Sequence, residues 1–142
     1  MYKLGSRSRE RLKGVHPDLI RLIEYSLEHN ECPYDFGVPM YGGLRSTEDQ
    51  QNLYAKGRTT SGAIVTYTDG INRKSNHQAK SDGYGHAFDI YGLQNGKATW
   101  KIEVLTAIAN HIKRCANDLG IDIEWGGDWS KFKDLPHFQL KS

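Results

Sequence analysis

A chain of 142 residues, 37% hydrophobic and 25% charged with fifteen glycines and four prolines, is sized for one compact domain that encloses its own core, and its composition excludes a disordered chain. Nineteen basic against seventeen acidic residues leave a net charge of +2, so only a basic cluster in the first thirteen residues argues for an anionic partner. Two cysteines, Cys32 and Cys115, exclude a disulfide scaffold, and no apolar run reaches the roughly 20 residues of a membrane-spanning helix.

The N-terminal cluster, Lys3, Arg7, Arg9, Arg11 and Lys13 against Glu10, lacks the apolar centre of a secretory signal and reads as a solvated helix face. Synthesis in the cytoplasm is the expectation. His16-Pro17-Asp18 opens a helix whose apolar positions Leu19, Leu22, Ile23 and Leu27 run to a stop near Asn30. Tyr34 to Val38 alternates as a strand, and Pro39 with Gly42-Gly43 turns the chain; no G-K-[ST] follows, so the glycines are not a phosphate loop. Thr47-Glu48-Asp49-Gln50 fits a capping box with Thr47 as the cap, giving a helix to Gly57 with Arg45 just ahead of its N-terminus. Residues 58–83 are polar and aperiodic, a loop long enough to be functional.

From His86 to Tyr91 the chain alternates as one strand, with Ala87, Asp89 and Tyr91 on one face and His86, Phe88 and Ile90 on the other. Thr99 caps a long helix carrying the stripe Ile102, Leu105, Ile108, Ala109, Ile112, Ala116 and Leu119, which Gly120 ends. Ile121 to Trp125 is a strand, Gly126-Gly127-Asp128 a turn, and Pro136 to Leu140 the last strand, with His137 and Gln139 on one face and Phe138 and Leu140 on the other. No internal repeat is present. About three helices and three or four strands without βαβ alternation predict a single α+β domain, residues 1–142, with one small antiparallel sheet.

Three separated residues, His77, Asp89 and His137, form a candidate metal set. Two imidazoles and a carboxylate suit a catalytic Zn²⁺, because three protein ligands leave the fourth tetrahedral position for water. Neighbouring antiparallel strands can set Asp89 beside His137, and the polar loop then has to bring His77 to them. Asp134, three residues before His137, is placed to take a proton from that water. His86 is a rival ligand that strand parity turns away from Asp89. His16, His29 and His111 read as structural or surface histidines, and Cys32 and Cys115 as buried or idle thiols. Spacing alone leaves open the plainer alternative of a strand histidine and a surface carboxylate.

Ser75-x-His77, Gly85-x-Ala87-x-Asp89 and Asp134-x-x-His137 together resemble the motif set of the VanY-type zinc peptidases. Pro33 to Gly37, Gly42-Gly43-Leu44-Arg45 and Trp125-Gly126-Gly127-Asp128-Trp129 resemble the phage endolysin branch of that family, so the likeness spans residues 33–140. The resemblance implies a VanY/hedgehog-like α+β fold, Zn²⁺ held by His77, Asp89 and His137, Asp134 as catalytic acid and base, and Arg45 directed at the reacting carbonyl. Ser75 is then a candidate to contact substrate or to orient His77, and Trp129, with Trp125, to line the cleft or to pack on the sheet. The implied substrate is the L-alanyl-D-glutamate bond in the peptide stem of bacterial peptidoglycan. The implied protein is a monomer without a nucleic-acid partner or stable membrane association, made in the host cytoplasm and acting on the wall after release. A D-alanyl-D-alanine carboxypeptidase and a non-catalytic wall-binding module are the alternatives. Two features depart from the family pattern: residues 78–84 lengthen the spacer after His77, and Asp134 stands where many members carry Glu.

Overall fold

The computed structural model describes residues 1–141. Within them the chain forms α1 (Ser6–Arg11), α2 (Pro17–Glu28), β1 (Asp35–Gly37), α3 (Thr47–Ala55), β2 (Ala87–Asp89), β3 (Tyr91–Gln94), β4 (Lys97–Thr99), α4 (Ile102–Leu119), β5 (Ile123–Trp125) and β6 (His137–Leu140), with a 3₁₀ turn at Gly126–Asp128. The α+β class with antiparallel pairing is as expected from the sequence. The strands divide, however, into two three-stranded sheets, ordered β1-β3-β4 and β2-β6-β5.

The apolar stripes of α2 and α4 supply the core between them. In α2, Leu19, Leu22, Ile23 and Leu27 are buried, and Pro17 occupies the first helical turn, where its missing N–H costs nothing. The Asp18 amide donates to His16 Nδ1 at 3.1 Å, so His16 serves as a helix cap. Along α4, Val104, Leu105, Ile108, Ala109 and Ile112 are buried, and Gly120 at φ 70° provides the left-handed stop. His111 donates from Nε2 to the Ser26 carbonyl at 2.9 Å, a buried tie between the two helices. Cys32 and Cys115 are buried free thiols, and burial pushes Cys32 up to about 11.

Three local expectations shift by a few residues. Ser46, not Thr47, caps α3: its hydroxyl accepts from the Asp49 amide at 3.0 Å while the Asp49 carboxylate accepts from the Ser46 amide at 3.4 Å. Thr47 instead accepts from Gln78 Nε2. Thr99 ends β4, and α4 is entered through Lys101. The expected strand from His86 to Tyr91 is broken at Ile90, where the backbone changes partner. Asp89 pairs with β6, whereas Tyr91 pairs with β1. Ile90 is buried at the break, with its amide on the Pro136 carbonyl at 3.0 Å. No helix among the described residues is long and apolar enough to cross a membrane.

Candidate metal centre

β6 is the middle strand of its sheet, and its alternation decides what each face does. Phe138 lies opposite Phe88 and Trp125 in the register and packs against both, with ring centroids 5.1 and 6.5 Å apart. Those three rings anchor the sheet in the core. On the opposite face the same register sets His137 against Asp89 and Gln139 against Ala87.

His77 reaches this face from the polar loop. The Arg45 amide donates to the His77 carbonyl at 2.9 Å, and the His77 amide donates to Ser75 Oγ at 3.1 Å, which fixes the backbone on both sides of the ring. His77 Nδ1 donates to the Gly43 carbonyl at 2.9 Å, leaving Nε2 as a lone pair aimed at the cluster. Gly43 can offer that carbonyl because it has no side chain; a Cβ there would collide with the Arg11 carbonyl.

His77 Nε2 lies 3.2 Å from Asp89 Oδ1 and 3.2 Å from His137 Nδ1, and His137 Nδ1 lies 3.0 Å from Asp89 Oδ1. These three atoms form a near-equilateral triangle. With ligand bonds of about 2.0–2.1 Å, the corners of a zinc tetrahedron lie about 3.3 Å apart, so the donor set fits such an ion with only a small expansion. His77, Asp89 and His137 are the one group among the described residues able to hold a metal in this way. His86 is directed elsewhere, with Nε2 on Asp82 Oδ2 at 2.7 Å.

The three groups differ in their affinity for a proton. Burial lowers the affinity of His77 for it, and the Gly43 bond is satisfied by the neutral ring. Burial also opposes charge on His137, but the hydrogen bond and charge of Asp89 outweigh it and raise the affinity of that ring. For Asp89, burial favours the neutral acid and is overruled by the imidazole partners, which hold the carboxyl far below the usual range. Of the two rings, His137 is the one whose affinity for a proton is raised, and its Nδ1 faces both Asp89 Oδ1 and His77 Nε2.

Around this triangle the other sequence-predicted residues take up definite positions. Arg45 is not directed outward. Its Nη2 donates to Asp89 Oδ2 at 3.1 Å, Nη1 to Gln50 Oε1 at 3.1 Å and Nε to the Tyr41 carbonyl at 2.7 Å. Asp134 is an exposed residue whose carboxyl is nonetheless partly desolvated; that, followed by the charge of Asp89, raises its pKa. The Asp134 amide donates to the Gly126 carbonyl at 3.0 Å, and its carbonyl accepts from the His137 amide at 3.1 Å, closing a turn over Leu135-Pro136 into β6. Gly126 is obligatory here, since a Cβ would strike the Asp134 carbonyl. Trp129 leans on His137 with centroids 5.4 Å apart and donates to Glu124 Oε2 at 3.2 Å.

The comparisons with known proteins bear directly on this geometry. The family model described as phage L-alanyl-D-glutamate peptidase matches residues 1–139. The chain belongs to that family. The chain is 38% identical over 106 residues to the peptidoglycan L-alanyl-D-glutamate endopeptidase CwlK of Bacillus subtilis, a match covering 69% of this chain and 57% of CwlK. It is 27% identical over 141 residues to the L-alanyl-D-glutamate peptidase of Escherichia phage T5, covering 99% and 90% of the two chains. Among solved structures, the Serratia marcescens L-Ala D-Glu endopeptidase ChiX superposes with a TM-score of 0.71 at 35% identity, over 96% of this chain and 87% of ChiX.

Four polar residues around the site make contacts that the sequence did not reveal, Gln50 among them, whose expected capping role falls to Asp49. Gln50 is fully buried and joins Arg45 to the long loop by donating to the Thr68 carbonyl at 2.9 Å. Gln78, also buried, accepts from the Ser75 amide at 2.8 Å and donates to the Gly70 carbonyl at 3.1 Å. Asn76 and Gln139 meet beside His137. No periodicity announces the contacts of Gln50, Gln78 and Asn76, which aperiodic loop segments supply; Gln139 was visible as the next residue on the His137 face.

Proposed function

We propose that the peptidase hydrolyses the L-alanyl-D-glutamate bond in the peptide stem of bacterial peptidoglycan, with Zn²⁺ held by His77, Asp89 and His137. The observation that carries this reading is the triangle of donor atoms 3.0–3.2 Å apart on the polar face of β6, in a chain whose relatives are named for that bond. Bound zinc would supply a Lewis acid that polarises a carbonyl and brings the pKa of water down to about 7. The chain's own residues then have separate tasks. Asp134 accepts the proton of the attacking water and returns it to the leaving amine, a task suited to a carboxyl whose pKa is raised by desolvation. Arg45 fixes the Asp89 carboxylate through Oδ2 and adds positive charge beside the carbonyl oxygen as negative charge develops there. Ser75 holds the His77 backbone, which favours a positioning role over a substrate contact. Trp129, half-buried against His137, forms one wall of the substrate cleft.

Digestion of purified peptidoglycan followed by mass analysis of the fragments tests the bond. New N-terminal D-glutamate with intact stem termini is expected, together with stoichiometric zinc in the active protein. Release of single D-alanine residues points instead to a carboxypeptidase, and binding without cleavage to a wall-binding module. The site of action under this reading is the cell wall, reached after synthesis in the host cytoplasm.

A further inference from the structure

His137 meets the metal triangle through Nδ1, which leaves its other ring nitrogen to be satisfied from within the sheet. His137 Nε2 lies 2.7 Å from Gln139 Oε1. The same oxygen accepts from Asn76 Nδ2 at 2.9 Å. Gln139 is two residues along β6, on the same face as His137, opposite Ala87 on one side and Glu124 on the other. The methyl side chain of Ala87 leaves the space in which the longer Gln139 side chain turns back toward the imidazole.

An amide can present either its oxygen or its nitrogen, and the two choices have opposite consequences for the ring. With the oxygen toward His137, Nε2 carries the proton and Nδ1 keeps a lone pair for a cation. With the nitrogen toward it, Nε2 becomes the acceptor and Nδ1 must carry the proton, which blocks ligation. Asn76 presents its Nδ2 to Gln139 Oε1 at 2.9 Å, which accords with the oxygen-inward choice. We infer that Gln139, oriented by Asn76, is a positioning residue that selects the Nε2–H tautomer of His137 and so makes Nδ1 available as a metal ligand. The loop that delivers His77 thus also delivers the residue that sets the tautomer of the second histidine, and docking of one segment prepares both imidazoles. This inference rests on the zinc reading given above.

The test uses the full chain with Gln139→Met, close in volume but unable to accept the bond, and Gln139→Glu, which accepts it more strongly. Zinc affinity is measured by chelator competition, and the histidine ring nitrogens of the zinc-loaded protein are observed by ¹⁵N NMR. Q139M is expected to bind zinc about 10–100-fold more weakly, the usual cost of losing the group that supports a ligating histidine. Its His137 Nε2 proton should lose protection from exchange. Q139E should retain the wild-type affinity and the protected proton, and Asn76→Ala should fall between wild type and Q139M. Equal zinc affinity in wild type and Q139M overturns the inference, as does equal weakness of Q139M and Q139E, which would mark a packing role. Wild-type protein that takes up no stoichiometric zinc overturns the metal reading itself, and the inference with it.

Discussion

Asp134 and Arg45 differ in how firmly the fold holds them. Asp134 has its backbone fixed by Gly126 and His137 while its side chain stays exposed beside the cluster, as suits the proton-transfer role proposed for it. Asp134→Asn should therefore lower kcat by about 10²–10⁴-fold and leave zinc content unchanged, measured by turnover and metal analysis on the same preparation. The base must be ionised to act, so kcat/KM should fall on acidification as Asp134 is protonated. Arg45, by contrast, spends its guanidinium on Asp89, Gln50 and Tyr41. A lysine keeps the charge but not the planar fork. Arg45→Lys should weaken zinc binding as well as turnover; a variant with full zinc affinity and reduced kcat would show that Arg45 acts on the substrate alone.

The elements that carry the core were the most legible. Buried residues recurring at helical spacing in α2 and α4, and the polar/apolar alternation of faces in β6, are visible without any tertiary information, because those periods follow from backbone geometry. Phe138→Ala should cost about 3–5 kcal/mol by urea denaturation, since it removes the ring between Phe88 and Trp125. Alternation in β2 and β6 set which side chains share a face, but not the pairing of Asp89 with His137, because a slip of two residues preserves parity. The break at Ile90 was hidden for a similar reason: β2 and β3 continue one alternating pattern while pairing in different sheets. Asn95-Gly96, both at positive φ, is a hairpin turn whose dipeptide signal was present in the sequence and went unread. At α3 two adjacent hydroxyls competed for one role. Ser46→Ala should lose about 1 kcal/mol of stability through the N-cap, whereas Thr47→Ala should act through the Gln78 contact and the loop that bears His77.

Across the whole molecule, the metal triangle ties together segments that sequence order keeps far apart: the loop carrying His77, β2 and β6. An ion bound there links them only in the folded state, so zinc at a thousand times its Kd should stabilise the protein by about 4 kcal/mol, and a chelator should remove that increment. The pH dependence follows from the proton that the ion displaces. Asp89 stays ionised well below the usual carboxylate range, and its share of stability is lost only as pH falls through that lowered value. His77, with its affinity for protons reduced by burial, favours the fold above the ordinary histidine pKa and loses that contribution as pH falls below it. His137 runs the other way: its raised affinity stabilises the metal-free fold most below the ordinary histidine value, and the contribution disappears as pH climbs through the raised one. Under the proposed zinc reading the ion must displace any proton on His137 Nδ1, so its binding releases protons and weakens on acidification. The zinc-dependent rise in Tm should thus be largest at alkaline pH and shrink progressively on acidification. Calorimetry in buffers of different ionisation enthalpy should register the released proton, and a zinc-dependent rise in Tm that is flat with pH would place the proton elsewhere.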